Sequence, residues 1–365
     1  MVRHGGSWKS RFARDSFFSP LIRWRKQILE LGIKIDFVTL ERARSGSWDV
    51  LLIDESALPR AGDQLLECLS VLRHRANRLV WLDTTDSSGD TQFQVLEVVD
   101  LYTKRHLLKD TSVYSHPPIT VNLFETYYES LLKDLGIPYQ TPIDNPLEIK
   151  HALAPHDIAR IRLSWTFAYT DVEARNRWLQ MARNLKGGYP SADQAACKNP
   201  LDEVGAFFTS QASDIRGVVR KIALDQARVH GWKTLKGKVS TRSYLQSLSS
   251  VGSVVSPFGH GEMTYRDFEV AWFGSLLFKP SVEHLYTFPN LLKPWETYIP
   301  LSWNPQLWGP EVKEGSNHEN AKQIRDSLHA WSSSMGSDSS RDAFIAHFHR
   351  CIILSKKCGL CEMPE

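Results

Sequence analysis

Two short stretches constrain this chain more than any others: residues 49–54 (DVLLID) and 78–83 (RLVWLD). Each is a near-continuous apolar run that ends in an acid. A strand with one face in water alternates apolar and polar residues, whereas a strand covered on both faces does not. Both runs therefore predict buried parallel strands. A helical pattern at 64–73 lies between them, and residues 98–104 (VVDLYTK) predict a further strand. Strand–helix–strand alternation is the signature of an α/β fold with a mostly parallel sheet. Ligands of such sheets bind beyond the carboxyl ends of the strands. Asp54-Glu55-Ser56 and the polar run 83–88 (DTTDSS) fall at those ends, as ligand contacts or as plain helix caps.

The alternation starts earlier and resumes later. Residues 20–31 have helical periodicity and Gly32 stops them. Residues 33–38 (IKIDFV) alternate like a strand. Residues 134–157 contain four prolines and little periodicity, so they predict a linker. A second alternation follows: helix at 171–184, strand at 203–208, long helix at 212–230, helix at 240–248 and a short strand at 253–256. The Ser-rich run 331–340 predicts a loop, and 341–354 a last helix packing back across the interface. With 365 residues, two domains are expected. They are drawn as 1–150 and 151–340, with 341–365 a C-terminal helix and a disordered tail.

Composition narrows the class. A net charge of +3 with no basic run gives no reason to expect nucleic acid as a partner. The five cysteines, Cys68, Cys197, Cys351, Cys358 and Cys361, are an odd set without framework spacing, which points to a reducing compartment. Cys358 and Cys361 form one CxxC, which lacks the second ligand pair of a zinc site. The first residues show no apolar leader, and no run approaches the roughly 20 apolar residues of a membrane span. A cytoplasmic protein is expected, with peripheral contact to the inner face of the membrane left open.

The chemistry concentrates at 253–280. Residues 254–255 form a buried strand end, and 256–261 a loop in which Gly259 and Gly261 permit close backbone approach. Thr264 followed three positions later by Asp267 fits a capping box, so a helix starts at 264 and Gly274 ends it. A glycine-rich loop feeding a helix N-terminus favours anions. Arg266 lies in the first turn and can grip phosphate, while Glu269 shares its face and can accept from vicinal sugar hydroxyls. Tyr265, Phe268 and Trp272 form a core-facing stripe. An ordinary capped helix with a surface Arg266–Glu269 ion pair has the same pattern, so both readings stand at this point.

Gly261-Glu262, Arg266-Asp267-Phe268-Glu269 and the Gly274 five positions on resemble the glycosyl transferases group 1 superfamily, in particular its CgeB-like branch. Lys279-Pro280, Glu283-His284-Leu285, Glu296-Thr297-Tyr298, Ser302-Trp303-Asn304, the run 82–88, residues 100–104 and 162–165 are similar too. The resemblance implies a GT-B fold, two Rossmann-like domains facing each other across a cleft. It implies a metal-independent glycosyltransferase without a cofactor, using a nucleotide-sugar donor and an unknown acceptor, such as a cell-envelope glycan in polysaccharide biosynthesis. Glu269 would hold the donor ribose, and Arg266, Gly259 and Gly261 the diphosphate. Arg220 and Lys221 would assist the leaving group, or are solvated helix charges. Glu262 and His260 would meet the donor sugar. Asp83, Asp86 and Ser87 would face the acceptor, with Asp86 as a base. One departure stands out. Retaining members carry two glutamates eight positions apart, whereas Glu262 and Glu269 are seven apart and Gly261 takes the eighth place. The stereochemistry stays unassigned. A non-catalytic nucleotide- or glycan-binding protein with the same shell is the alternative, and a nucleotide-sugar epimerase a third.

Overall fold

The computed structural model describes residues 2–3, 17–58, 63–115, 123–140, 152–169, 199–210, 213–237 and 239–354. The helix expected at 171–184, Cys197 and the Cys358–Cys361 pair lie outside the described residues, as do residues 141–151 of the expected linker.

The first half builds one parallel sheet. Its strands are β1 (Val2–Arg3), β2 (Val38–Thr39), β3 (Trp48–Asp54), β4 (Ala76–Asp83), β5 (Leu101–Lys104) and β7 (Ile161–Leu163), in the order β2-β1-β3-β4-β5-β7. Every pairing in it is parallel. The runs at 49–54 and 78–83 are its central pair, β3 and β4. The helix Asp63–Arg73 crosses between them and buries Leu65, Leu69 and Leu72, spaced four and three apart on one face. The strand expected at 33–38 pairs only at Val38–Thr39. Its alternation reflects half-burial at the sheet edge, with Ile35 and Val38 inward and Asp36 held outside by Arg25 and Lys34. The helix expected at 20–31 is two, Ser19–Arg23 and Arg25–Glu30, broken at Trp24.

The second half builds another parallel sheet from β8 (Val204–Ala206), β9 (Lys233–Thr234), β10 (Ser253–Val255), β11 (Leu276–Pro280) and β13 (Ile299–Leu301), in the order β13-β11-β10-β8-β9. Its long helix, Ile215–Val229, is capped by Asp214, whose carboxylate accepts from Gly217 N–H at 2.8 Å. It buries Ile215, Val219, Ala223 and Ala227, every fourth residue. The molecule is thus mixed α/β with two parallel, Rossmann-like sheets.

Three features tie the halves together. First, β6 (His106–Leu108), which follows β5, pairs antiparallel with β12 (Leu285–Thr287), which follows β11. Second, one apolar cluster runs from Phe17 through Trp165 and Val254 to Ile352. Third, the helix Asp338–Phe348 returns to the first half, where Phe344 packs against Trp24, Trp165 and Tyr169. On the same helix the His347 ring stacks on Phe288, with Nε2 3.0 and 2.9 Å from the Leu163 and Ser164 carbonyls. The expected loop at 331–340 shrinks to three residues, because the helix Ala321–Ser334 runs into it from one side and Asp338–Phe348 from the other. Ser333 and Ser334 donate back to the His329 and Trp331 carbonyls, so hydroxyls that suggest a loop are satisfied inside a helix.

Candidate functional site

The loop 256–263 leaves the end of β10 and meets the loop 84–90, which leaves the end of β4. A β-carbon on Gly261 would overlap the Asp86 carbonyl, so only glycine permits this approach. The junction is held by Glu262, which is fully buried. Its carboxylate accepts from the Ser88 hydroxyl at 2.5 Å and the Ser88 N–H at 3.0 Å, and lies 3.3 Å from His106 Nε2. Burial alone would raise its pKa. The His106 ring and both Ser88 donors overcome that and hold it down at about 2.

The helix Tyr265–Phe273 begins at the Thr264 capping box and ends at Gly274, whose φ is 67°. The Asp267 carboxylate accepts from Thr264 N–H at 2.7 Å and from the Ser256 hydroxyl at 2.5 Å. It also pairs with the buried Lys279 at 3.0 Å. The N-terminus of this helix is therefore partly answered by its own acid. Phe268 and Trp272 are core residues, and Tyr265 stacks on Phe167 of the first half.

Cations gather around the loop. Arg220 donates through Nε and Nη2 to the Phe258 carbonyl, and Nη2 lies 3.6 Å from where a Gly259 β-carbon would sit. Burial lowers its pKa to about 10, and the charges of Arg266 and Arg216 push the same way. Arg266 lies over the Phe208 ring at 5.6 Å. Its Nε and Nη1 are buried with no hydrogen-bond partner among the described residues. A buried guanidinium donor left unanswered is costly, so these atoms point to an absent acceptor. Lys221, about 100° further round its helix, is exposed.

Glu269 does not pair with Arg266 on an open surface. It is 2% exposed and accepts from the Tyr244 hydroxyl at 2.7 Å. Tyr244 lies on the helix Thr241–Leu248, which nothing in the sequence motif marked. His260 sits at the rim with Nδ1 2.6 Å from Arg216 Nη1. Desolvation of the ring and the charge of Arg216 hold its pKa below the ordinary range. The neutral ring accepts from the guanidinium at Nδ1, which leaves the proton on Nε2. Arg216 also pairs with Glu125 at 3.1 Å and Asp214 at 3.3 Å.

On the opposite loop, Asp83 is turned inward. Its carboxylate accepts from Thr85 N–H at 2.9 Å, from Lys104 Nζ at 2.9 Å and from the Tyr102 hydroxyl. All of Asp83, Tyr102 and Lys104 are fully buried. Ser87 is also buried and accepts from Gly89 N–H. Asp86 is the acid that reaches the surface, with its side chain 49% exposed and paired with Arg105 at 2.7 Å. Its charge acts on His260, which places the two on facing rims. The fold thus brings Gly259, Gly261, His260, Arg220, Arg266 and Asp86 to one junction. Glu262 is inside that junction, Asp83 and Ser87 are beneath it, and Lys221 is outside. Among the described residues, no group of three or more His, Cys, Asp or Glu side chains is gathered for a metal ion, and no helix is long and apolar enough to cross a membrane.

No protein-family model and no curated protein matches the chain. Solved structures do match. The pneumococcal O-GlcNAc transferase GtfA, in complex with UDP and GlcNAc, is 10% identical over 85% of this chain, with a TM-score of 0.39. The match covers 59% of GtfA, so the chain spans about three-fifths of that protein's length. HepE of Anabaena, in complex with UDP and glucose, is 9% identical over 94% of this chain and 97% of its own, also at 0.39. At such TM-scores these likenesses carry no argument about this chain.

Proposed function

We propose that the chain is a glycosyltransferase that uses a nucleotide-sugar donor bound at the 256–269 loop and helix. The carrying observation is the pair of buried Arg266 nitrogens without an acceptor among the described residues, beside Arg220, whose own Nη2 lies near Gly259. Two guanidinium forks beside a glycine loop fit a diphosphate, and they would stabilise the same group as it leaves. Glu269, with Tyr244 bonded to it, would meet the ribose. The CgeB-like sequence resemblance supports this assignment of Arg266 and Glu269.

On this reading Glu262 clasps the two loops, since both its oxygens are engaged there. Asp86, half-exposed and held by Arg105, would take the proton from an acceptor hydroxyl, and His260 would meet the donor sugar. The acceptor would be a glycan hydroxyl, in work at the cytoplasmic side of the membrane. The domain division at 150 and 340 belongs to the same reading. Engagement of Glu262 also favours a second reading, a shell that binds nucleotide without transfer.

A panel of nucleotide sugars and nucleoside diphosphates separates these. Thermal shift should show stabilisation by at least one diphosphate, because a ligand bound only by the folded state raises the melting temperature. Slow donor hydrolysis by the same protein supports transfer. Binding without hydrolysis of any donor supports the second reading, and no binding at all rejects both.

A further inference from the structure

The turn before β13 carries a residue that folding does not explain. Trp295 sits in the left-handed region, with a φ of 61°. Among the described residues, every other position with positive φ is a glycine. Glycine reaches that region freely, whereas a bulky side chain does so only under strain. The turn enforces the conformation through several bonds. Trp295 N–H donates to the Tyr298 carbonyl at 2.9 Å, and Thr297 N–H to the Lys293 carbonyl at 3.0 Å. The buried Thr297 hydroxyl donates to the Leu291 carbonyl at 2.6 Å and accepts from Lys293 N–H at 2.9 Å. The strain does not carry the indole into the core, since Trp295 is 50% exposed. Glycine would hold the same turn with less strain, so what the position gains from tryptophan is its ring.

The surroundings of that ring are polar. His318 lies between the helices Trp308–Ser316 and Ala321–Ser334, with its ring 5.2 Å from the indole at a tilt of 37°. His318 Nδ1 accepts from Asn320 N–H at 3.1 Å, which leaves the ring proton on Nε2 as a donor. Glu296, next to Trp295, is exposed, with its carboxylate 3.8 Å from Lys293 Nζ. The exposed charges that flank the two rings in sequence are balanced, Lys293 and Lys322 against Glu296 and Glu319. The strands β10, β11 and β13 run parallel. The loop 256–263 follows β10, whereas this turn precedes β13, so the patch lies at the opposite end of the second sheet from the loop junction.

We infer that Trp295 and His318 form a carbohydrate-binding patch. The indole would take the apolar face of a pyranose ring, and the His318 Nε2–H and the Glu296 carboxylate would meet its hydroxyls. An aromatic face bordered by a donor and an acceptor suits a ligand that is apolar on one face and hydroxylated at its rim. Balanced charge gives no pull toward an anionic lipid surface. The inference does not depend on the donor site.

The test uses the full chain with cellohexaose, chitohexaose and maltohexaose as probes. Calorimetry on wild type should show binding of at least one of them. Trp295→Gly should weaken that binding by about tenfold or more, as truncation of an aromatic anchor does, and leave the response to inorganic pyrophosphate as in wild type. The same variant should melt at or above the wild-type temperature, because glycine adopts this φ without strain. Absence of binding to all three oligosaccharides overturns the inference, as does equal binding by wild type and Trp295→Gly. A lowered melting temperature in Trp295→Gly would make the ring a packing element and overturn it too. Cosedimentation of wild type with phosphatidylglycerol vesicles, lost in Trp295→Gly and without oligosaccharide binding, would make the patch a membrane contact and likewise reject it.

Discussion

The loops that close β4 and β10 look alike in sequence, polar and glycine-bearing after a buried strand, yet their charges are settled differently. In the first, Asp83 is answered by Lys104, Tyr102 and Thr85, while Asp86 is answered by Arg105. Arg105 also donates to the Thr84 and Thr85 carbonyls and lies 4.1 Å over the Phe167 ring. In the second, Arg266 and Arg216 both repel Arg220, and two Arg266 nitrogens lack an acceptor among the described residues. Loop composition does not separate a scaffold from a site; charge left over after folding does.

The sharpest way to break the contrast is at the clasp between the loops. Glu262→Ala leaves Ser88 and His106 facing a cavity. Removing one partner of a buried charged network costs about 3–5 kcal/mol, and a large fall in melting temperature is expected. An unchanged melting temperature would show that the loops are not joined there. Gly261→Ala should cost somewhat less, about 1–3 kcal/mol, because the Asp86 backbone must move to admit the methyl group. It should also disturb His260 and any donor bound beside it.

Glu269→Ala comes next and reads on binding. Loss of a charged hydrogen-bond acceptor is expected to weaken nucleoside diphosphate affinity by about 10- to 100-fold, from roughly 1.5–3 kcal/mol. Calorimetry on Arg266→Ala should show a similar loss, but with inorganic pyrophosphate too. If Glu269→Ala alone leaves affinity unchanged, the ribose assignment fails while the diphosphate assignment stands.

The strands β3, β4, β5, β8 and β10, the capping box at Thr264 and the Gly274 stop were legible because each depends on neighbours within a few residues, whereas β1, β7, β9 and β13 are only two or three residues long and too short to carry a pattern. The meeting of Gly261 with Asp86, and of Glu262 with Ser88, was not. Those pairs are 174 residues apart in the Ser88–Glu262 case, and no local periodicity encodes which loop will face which. Asp83 read as a strand-end acid available to ligand, because its cation partner Lys104 belongs to the neighbouring strand and pairing decides the contact. Tyr244 carried no signal, since a tyrosine on an amphipathic helix reads as ordinary packing.

Acid titration separates two buried groups by a smaller effect. His347 has its pKa lowered to about 4 by burial in the first half, with the Leu163 and Ser164 carbonyls pulling it back. The unfolded chain takes up that proton near 6.5, so the unfolded state binds more protons in between. Stability from His347 is therefore complete above about 6.5 and is lost as pH falls toward 4. Glu262 has its folded pKa held at about 2, below its unfolded value near 4.3. Its contribution is complete above that unfolded value and is lost as pH falls toward 2. Denaturant titrations across this range should show Glu262→Gln flattening the lower segment alone and His347→Phe the upper alone.

The smallest effect is expected at Lys221, beside Arg220 on the same helix. Sequence cannot separate the two: both are cations within one turn, a loop away from the glycines. Helix geometry turns them about 100° apart, so Arg220 reaches the Phe258 carbonyl while Lys221 is exposed. Lys221→Ala should change melting temperature and nucleotide affinity within error, as solvated surface substitutions do, within about 0.5 kcal/mol. Arg220→Ala should lower diphosphate affinity by about tenfold. Equal losses at both positions would mean that a diffuse field from the helix attracts the nucleotide, and a steep salt dependence in both variants would then accompany them. A loss at Arg220 alone fixes the contact to the guanidinium above Gly259.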